Sequence, residues 1–171
     1  HSAVHQGVTL EVIGNCGHGC FPLGDKQLAR NTIYGITDAI ELDWSTPAAY
    51  LDRLEAARPA INVLTLVPNG QLRQGLAKRP ADAVERKQML WHLEEALEAG
   101  AFGLSTGLEY PIEMGADTGE IDALLAPIAR HGLLYATHTR RRDTGALGAI
   151  EEALQTAREA GVRLQISHLL P

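Results

Sequence analysis

The chain has 171 residues, 45% of them apolar and 21% charged, an ordinary globular composition with room for one domain. Fifteen Lys and Arg against 21 Asp and Glu leave a net charge of −6, which argues against a nucleic-acid backbone as partner. No apolar run approaches the roughly 18 residues of a membrane span, Glu11, Asn15 and His18 interrupt any signal-peptide core near the start, and two cysteines are too few for a disulfide framework; a reduced, cytoplasmic compartment is the expectation.

In chain order, a helix-to-strand junction marked by Gly recurs. His5-Gln6-Gly7 leads into a strand over 8–13, followed by the loop Gly14-Asn15-Cys16-Gly17-His18-Gly19-Cys20. Thr46 before Pro47 is a cap with Pro at the first helical position and predicts a helix over 47–57. Arg58-Pro59 stops it, and 62–67 reads as a strand. A helix over 82–99 places Val84, Met89, Leu90, Leu93 and Leu97 on one stripe, and Glu98-Ala99-Gly100 leads into a strand over 101–105. Asp117 with Glu120 resembles a capping box opening a helix over 118–131, and Arg130-His131-Gly132 leads into a strand over 133–137. A helix over 145–160 carries Leu147, Ile150, Leu154 and Ala157, and Glu159-Ala160-Gly161 leads into a strand over 162–166. Gly just past a helix end takes the left-handed conformation that other residues resist.

Strand, helix, strand in alternation predicts an α/β fold with a parallel sheet. The loop after the first strand has glycines but neither a prompt helix start nor the acidic residue of a dinucleotide fingerprint. A partial TIM-like (β/α)8 barrel of about five consecutive β/α units is therefore favoured over an open doubly wound sheet. The chain begins His1-Ser2-Ala3-Val4 without Met and ends at Leu169-Leu170-Pro171 just after a strand. We expect residues 1–171 to be one partial barrel domain from a longer polypeptide, with two unpaired sheet edges and poor solubility on its own.

In parallel α/β folds the chemistry collects at the carboxyl ends of the strands. Here those ends carry Asn15-Cys16, Ser105-Thr106 with Glu109-Tyr110 in the loop, Thr137-His138, and Ser167-His168. A thiolate and two neutral imidazoles suit zinc, and three protein ligands plus water make an open, catalytic site. Taken singly, a strand-end His is more often a hydrogen-bonded residue, and a strand Cys a small buried hydrophobe. Convergence of Cys16, His138 and His168 on one mouth is what raises the metal reading. Cys16, His18 and Cys20 form a competing local set without the spacing of a zinc knuckle. His1, His5, His92 and His131 read as solvated.

Four motifs, Gly14-Asn15-Cys16-Gly17, Gly107-Leu108-Glu109-Tyr110-Pro111, Tyr135-Ala136-Thr137-His138 and Ile166-Ser167-His168-Leu169, stand in this order. Together they make a chain that resembles, over nearly its whole length, the N-acyl-D-amino-acid deacylases (D-aminoacylases) of the amidohydrolase superfamily. The resemblance implies a metal-dependent barrel that hydrolyses the amide of N-acyl-D-amino acids. It implies Zn2+ held by Cys16, His138 and His168, one ion tightly, and leaves open a second in the full-length protein. It further implies Tyr110 on the substrate carboxylate, Arg140 as the retained arginine after the first histidine, and a His-x-His pair, a catalytic Asp and a carboxylate-binding Arg lying outside residues 1–171. The partner is then a small N-acyl-D-amino acid.

Two departures stand out. The family commonly follows the second histidine with Leu-Lys, where this chain has Leu169-Leu170. It tends to have Met and then Arg-Asp-Glu after the first histidine, where this chain has Thr139-Arg140-Arg141-Arg142. Arg141 and Arg142 either compensate for the missing lysine, favouring an acidic acyl-amino acid, or are plain surface charge. The alternatives to a deacylase are another amidohydrolase of the dihydroorotase or hydantoinase kind and a degenerate, non-catalytic piece; the 171 residues alone are expected to be inactive in any case. The dihydroorotase kind usually places a carboxylated lysine where Cys16 stands, and no strand-end lysine occurs.

Overall fold

Strands and helices alternate along most of the chain, and within each sheet neighbouring strands are parallel and consecutive in sequence. The structure is a computed structural model and describes residues 2–32, 36–76 and 78–169. His1 and Leu170 lie outside the described residues. A short α1 (Ser2–His5) precedes β1 (Leu10–Ile13), then come α2 (Lys26–Thr32), α3 (Pro47–Ala56), β2 (Asn62–Thr65), β3 (Val67–Pro68) and α4 (Asn69–Leu72). The remainder is α5 (Ala83–Glu98), β4 (Gly103–Gly107), α6 (Thr118–Arg130), β5 (Leu134–His138), α7 (Ala146–Ala160) and β6 (Arg163–Ser167). Among the described residues no helix is long and apolar enough to cross a membrane.

The expected strand over 62–67 appears as β2 and β3, with Leu66 between them. β1 and β2 form one parallel pair, and β3-β4-β5-β6 form a four-stranded parallel sheet. Backbone bonds from Leu66 N to Ile13 O (2.9 Å) and from Phe102 N to Thr65 O (2.7 Å) run between the two. The four Gly junctions behave as expected, with Gly7, Gly100, Gly132 and Gly161 all at positive φ.

Helix starts follow the capping logic, with one exchange. Thr46 accepts from Ala49 N at 3.2 Å, and Asp117 accepts from Glu120 N at 2.7 Å. The Glu120 carboxylate does not reach back to complete a box, because the buried Arg73 guanidinium and Ala81 N hold it instead. The reciprocal box sits at Asp82 and Glu85, at the start of α5.

The core lies between the four-stranded sheet and the helices against it, with Leu93, Leu104, Leu124, Leu125, Ile128 and Tyr135 fully enclosed. Each such aliphatic side chain contributes roughly 1.5–3 kcal/mol by leaving water. Two of the predicted stripes need correction. Val84 is exposed in the first turn of α5, while Met89 and Leu93 are buried. On α7 the buried line is Ala149, Ala153, Thr156 and Ala157, and Leu147 and Leu154 face outward. Small residues on the packed face let α7 approach its neighbours closely, so the larger leucines take the far side.

Beneath the strand ends lies a buried polar core. Arg73 is fully enclosed, pairs with Glu120, and donates to Ile112 O (2.8 Å) and Arg79 O (2.6 Å). Leaving one half of such a pair unmatched is far more damaging than losing an exposed helix cap. Glu120→Ala should therefore destabilise the folded protein by about 3–5 kcal/mol, and Asp82→Ala by about 1 kcal/mol. Chemical denaturation would measure both, and equal costs would contradict this account.

Candidate metal centre

Three strand ends build the site. His138 closes β5 and sits in register with Gly107 of β4 and Ser167 of β6. Extended backbone after Ser167 would throw the next side chain to the opposite face. His168 instead takes φ +58°, and this breaks the alternation. Ser167 Oγ then accepts from Asn15 Nδ2 at 3.0 Å, while His168 Nε2 stands 3.2 Å from Cys16 Sγ. Cys16, three residues past β1, is also left-handed, at φ +55°. Non-glycine residues adopt this region rarely, and each such residue costs of order 1–3 kcal/mol unless its surroundings enforce it.

Those surroundings are close-packed backbone. Gly17 N donates to Ser105 Oγ at 3.1 Å, and the Ser105 hydroxyl donates to Gly14 O. Gly70 N donates to Gly17 O at 3.1 Å. A Cβ on Gly107 would strike Cys16 O, and one on Gly17 would overlap the Glu113 carboxylate. Glycine at 17 and 107 is thus required by close approach, and at 17 by φ +72° as well.

One ligand atom each from Cys16, His138 and His168 lies within 4.8 Å of the others. Donors about 2.0–2.3 Å from a tetrahedral ion stand roughly 3.5 Å apart; Cys16 Sγ and His168 Nε2 are that close, at 3.2 Å, and the donor types suit zinc. The His138 and His168 rings lie 5.0 Å apart. His138 is buried and engaged at both nitrogens, with Nε2 2.7 Å from Glu109 Oε2 and Nδ1 3.3 Å from the Tyr110 hydroxyl. Arg142 Nε donates to the same Glu109 oxygen at 2.7 Å. The Tyr110 ring lies 4.7 Å from both the His18 and the His138 ring.

Burial favours the neutral forms of Cys16, His18 and Glu113, while Glu109 is held ionised. Burial pushes the Cys16 thiol above its ordinary value, and the Glu113 charge adds to this against Arg142 and a Ser167 hydrogen bond. Burial, then His138, push His18 down. Hydrogen bonds from His138 and Arg142 hold the Glu109 carboxyl below the usual range. Glu113 moves the other way: burial raises it to about 7, despite opposition from Asn69, Gly107 N–H and Arg73.

The structure thus brings together Cys16, His138 and His168, with Tyr110 beside them. Arg140 is turned elsewhere, gripping Glu152 of α7 (2.9–3.2 Å) and donating to Met114 O (3.4 Å). Arg141 pairs with Asp143 in solvent, so of the two extra arginines only Arg142 reaches the cluster. Cys20 stays apart, its pKa raised by burial and affected by a Tyr50 hydrogen bond, and its carbonyl accepts from Trp44 Nε1 at 2.7 Å. Glu109, Glu113 and Asn69 carry roles that sequence reasoning missed. For Glu109 the adjacent Tyr110 was a signal; for Glu113 and Asn69 there was none, because their importance comes from burial.

No family model matches the chain. It is 38% identical over 170 residues to an N-acyl-D-aspartate deacylase of Alcaligenes xylosoxydans xylosoxydans, covering 96% of this chain and 34% of that protein. It is 37% identical over 171 residues to an N-acyl-D-glutamate deacylase of the same organism, covering 95% and 34%. A crystal structure of D-aminoacylase, described as defining a novel subset of amidohydrolases, superposes with a TM-score of 0.85 at 35% identity, over 96% of this chain and 35% of that one. An N-acyl-D-glutamate deacylase from Bordetella bronchiseptica, solved with zinc and a phosphonate mimic of the tetrahedral intermediate, superposes at 0.80 with 31% identity, over 94% and 34%. The chain spans about a third of the length of the curated relatives it matches. Over that stretch, this chain belongs to the N-acyl-D-amino-acid deacylase (D-aminoacylase) family.

Proposed function

We propose that the chain is part of a zinc-dependent amidohydrolase that cleaves N-acyl-D-amino acids to a carboxylate and the free D-amino acid. The observation that carries this reading is the convergence of Cys16, His138 and His168 at three strand ends. In this reading residues 1–171 are a domain portion, a partial (β/α)8 barrel of five consecutive β/α units that is inactive alone, and it works in the cytoplasm, where its two unpaired cysteines stay reduced.

Cys16, His138 and His168 would hold the ion, which when bound supplies a nucleophilic water at neutral pH and polarises the amide carbonyl. The chain's own residues then orient and bind. Glu109 steadies the His138 ring through Nε2, so Nδ1 is the nitrogen that would face the ion once the Tyr110 hydroxyl gives it up and turns to the substrate. The Tyr110 hydroxyl, 3.3 Å from His138 Nδ1, stands where it can hold the substrate carboxylate. Arg140 is the less favoured substrate contact, since Glu152 occupies its guanidinium. The proton-transferring Asp is assigned outside residues 1–171.

Cys16→Ala in the full-length protein should release the tightly held zinc and abolish hydrolysis of N-acyl-D-amino acids. Elemental analysis checks this, and an Ala variant that keeps its zinc overturns the assignment. Binding must also expel the thiol proton, because burial keeps Cys16 protonated at neutral pH. Apparent affinity should therefore climb about tenfold from pH 7 to pH 8; titration with a competing chelator would show it.

Arg142 favours a preference for acidic D-amino acids: it is a half-exposed guanidinium beside the cluster that Glu109 engages through Nε, whereas Glu152 takes both Nε and Nη2 of Arg140. Arg142→Ala should raise KM for N-acetyl-D-aspartate about tenfold, roughly 1.4 kcal/mol, relative to N-acetyl-D-leucine. Arg141→Ala should leave that ratio alone. An unchanged ratio in Arg142→Ala would remove Arg142 from substrate selection.

A further inference from the structure

Glu113 is a buried carboxyl group that the chemistry above does not use. It is 1% exposed, and one of its oxygens accepts from Asn69 Nδ2 at 2.7 Å while Asn69 is itself fully enclosed. Among the described residues its other oxygen makes no well-formed hydrogen bond, only the weak approach of the Gly107 N–H, and Asn69 Oδ1 has no partner. Placing such groups in the interior is unfavourable, so a site that keeps them calls for an explanation.

The explanation is in what the carboxyl touches. Glu113 Oε1 occupies the space that a Cβ of Gly17 would fill, and it lies 3.2 Å from a Cβ built on Gly70. Gly17 and Gly70 are joined by the Gly70 N to Gly17 O hydrogen bond at 3.1 Å. Gly17, next to Cys16, is thus held on three sides: by Ser105 at its N–H, by Gly70 at its carbonyl, and by Glu113 against its Cα. Cys16 and Gly17 are both left-handed. For Cys16 that conformation lasts only while neighbouring atoms block its relaxation.

The geometry points to Glu113 as a positioning residue, clamped by Asn69 under Gly17, that holds the left-handed Cys16 turn and so aims the thiol at His168. This rests on the reading of Cys16, His138 and His168 as metal ligands. Glu113 itself touches neither metal nor substrate; its influence passes through the Gly17 backbone to the direction of one Sγ.

Co(II) is the probe, since its thiolate charge-transfer absorption reports the Cys16 bond directly. In the full-length protein, Glu113→Ala should lower Co(II) affinity about tenfold to a hundredfold and weaken the thiolate band, with a cooperative thermal transition retained. Glu113→Gln, which keeps the shape and meets Asn69 once its amide turns over, should restore both. Wild-type affinity and band in Glu113→Ala overturn the proposal, as does a loss in Glu113→Gln equal to that in Glu113→Ala. If the Ala variant does not fold, Glu113→Asp, which withdraws the carboxyl by one methylene, is read by the same criteria. Cys16→Ala separates the two readings. If it leaves the Co(II) spectrum untouched, the metal assignment itself fails; if it removes the band while Glu113→Ala keeps it, only the role of Glu113 fails.

Discussion

The left-handed turns at Cys16 and His168 are the constraint on which the site depends. A parallel sheet delivers its strand ends to one side of the molecule, but its pleat alternates side chains between two faces. Without correction, Ser167 and His168 would serve opposite faces, and only one could meet the loop after β1. The turn at His168 lets both do so, Ser167 with Asn15 and His168 with Cys16. The turn at Cys16 answers it from the other side. Two unfavourable backbone conformations thus create one cluster, which is the pattern expected where strain serves a site.

Support for this strain comes from below, and it is polar. Asn69 and Arg73 come from the segment after β3, Glu113 from the loop after β4, and Glu120 from α6. An apolar core could fill the same volume, but it would not fix the approach of three backbone segments to within hydrogen-bonding distance. Arg73 ties α6 to the Ile112 and Arg79 carbonyls, so the loop that carries Glu109 and Tyr110 is anchored close to Glu113. A buried network of this kind contributes less to stability than to a single arrangement, provided its members are matched. Among the described residues Glu113 Oε1 and Asn69 Oδ1 are the exceptions without a well-formed hydrogen bond, and Glu113 Oε1 lies against Gly17 of the Cys16 turn.

Much of this was legible in the sequence. Gly after a polar helix marked four helix ends, and Thr46-Pro47 marked a start, because capping depends on local backbone needs that single residues satisfy. Strand-end position nominated Cys16, His138 and His168 beside the rival set Cys16, His18 and Cys20, and the family resemblance chose between them. What the letters hid was set by packing. Periodicity placed Val84, Leu147 and Leu154 inside, yet small residues won the packed face of α7. Asp117 and Glu120 have capping-box spacing, but Arg73, 47 residues away, claims the Glu120 carboxylate. Arg140, Arg141 and Arg142 are equivalent as text; their partners Glu152, Asp143 and Glu109 separate them.

The cluster also ties together the extremes of the chain. Cys16 and His168 are 152 residues apart, as are Asn15 and Ser167 beside them. Bringing such distant residues together carries a loop-closure entropy that a single exposed hydrogen bond offsets poorly. Contacts through β2, β3, β4 and β5 do most of that closing, one neighbouring strand at a time. An ion shared by Cys16, His138 and His168 would add a direct link between the loop after β1 and the ends of β5 and β6. Metal affinity and the stability of the strand-end face would then be one quantity seen from two sides. The rigid Cys16 turn favours that coupling, because donors already in place lose little freedom when they bind.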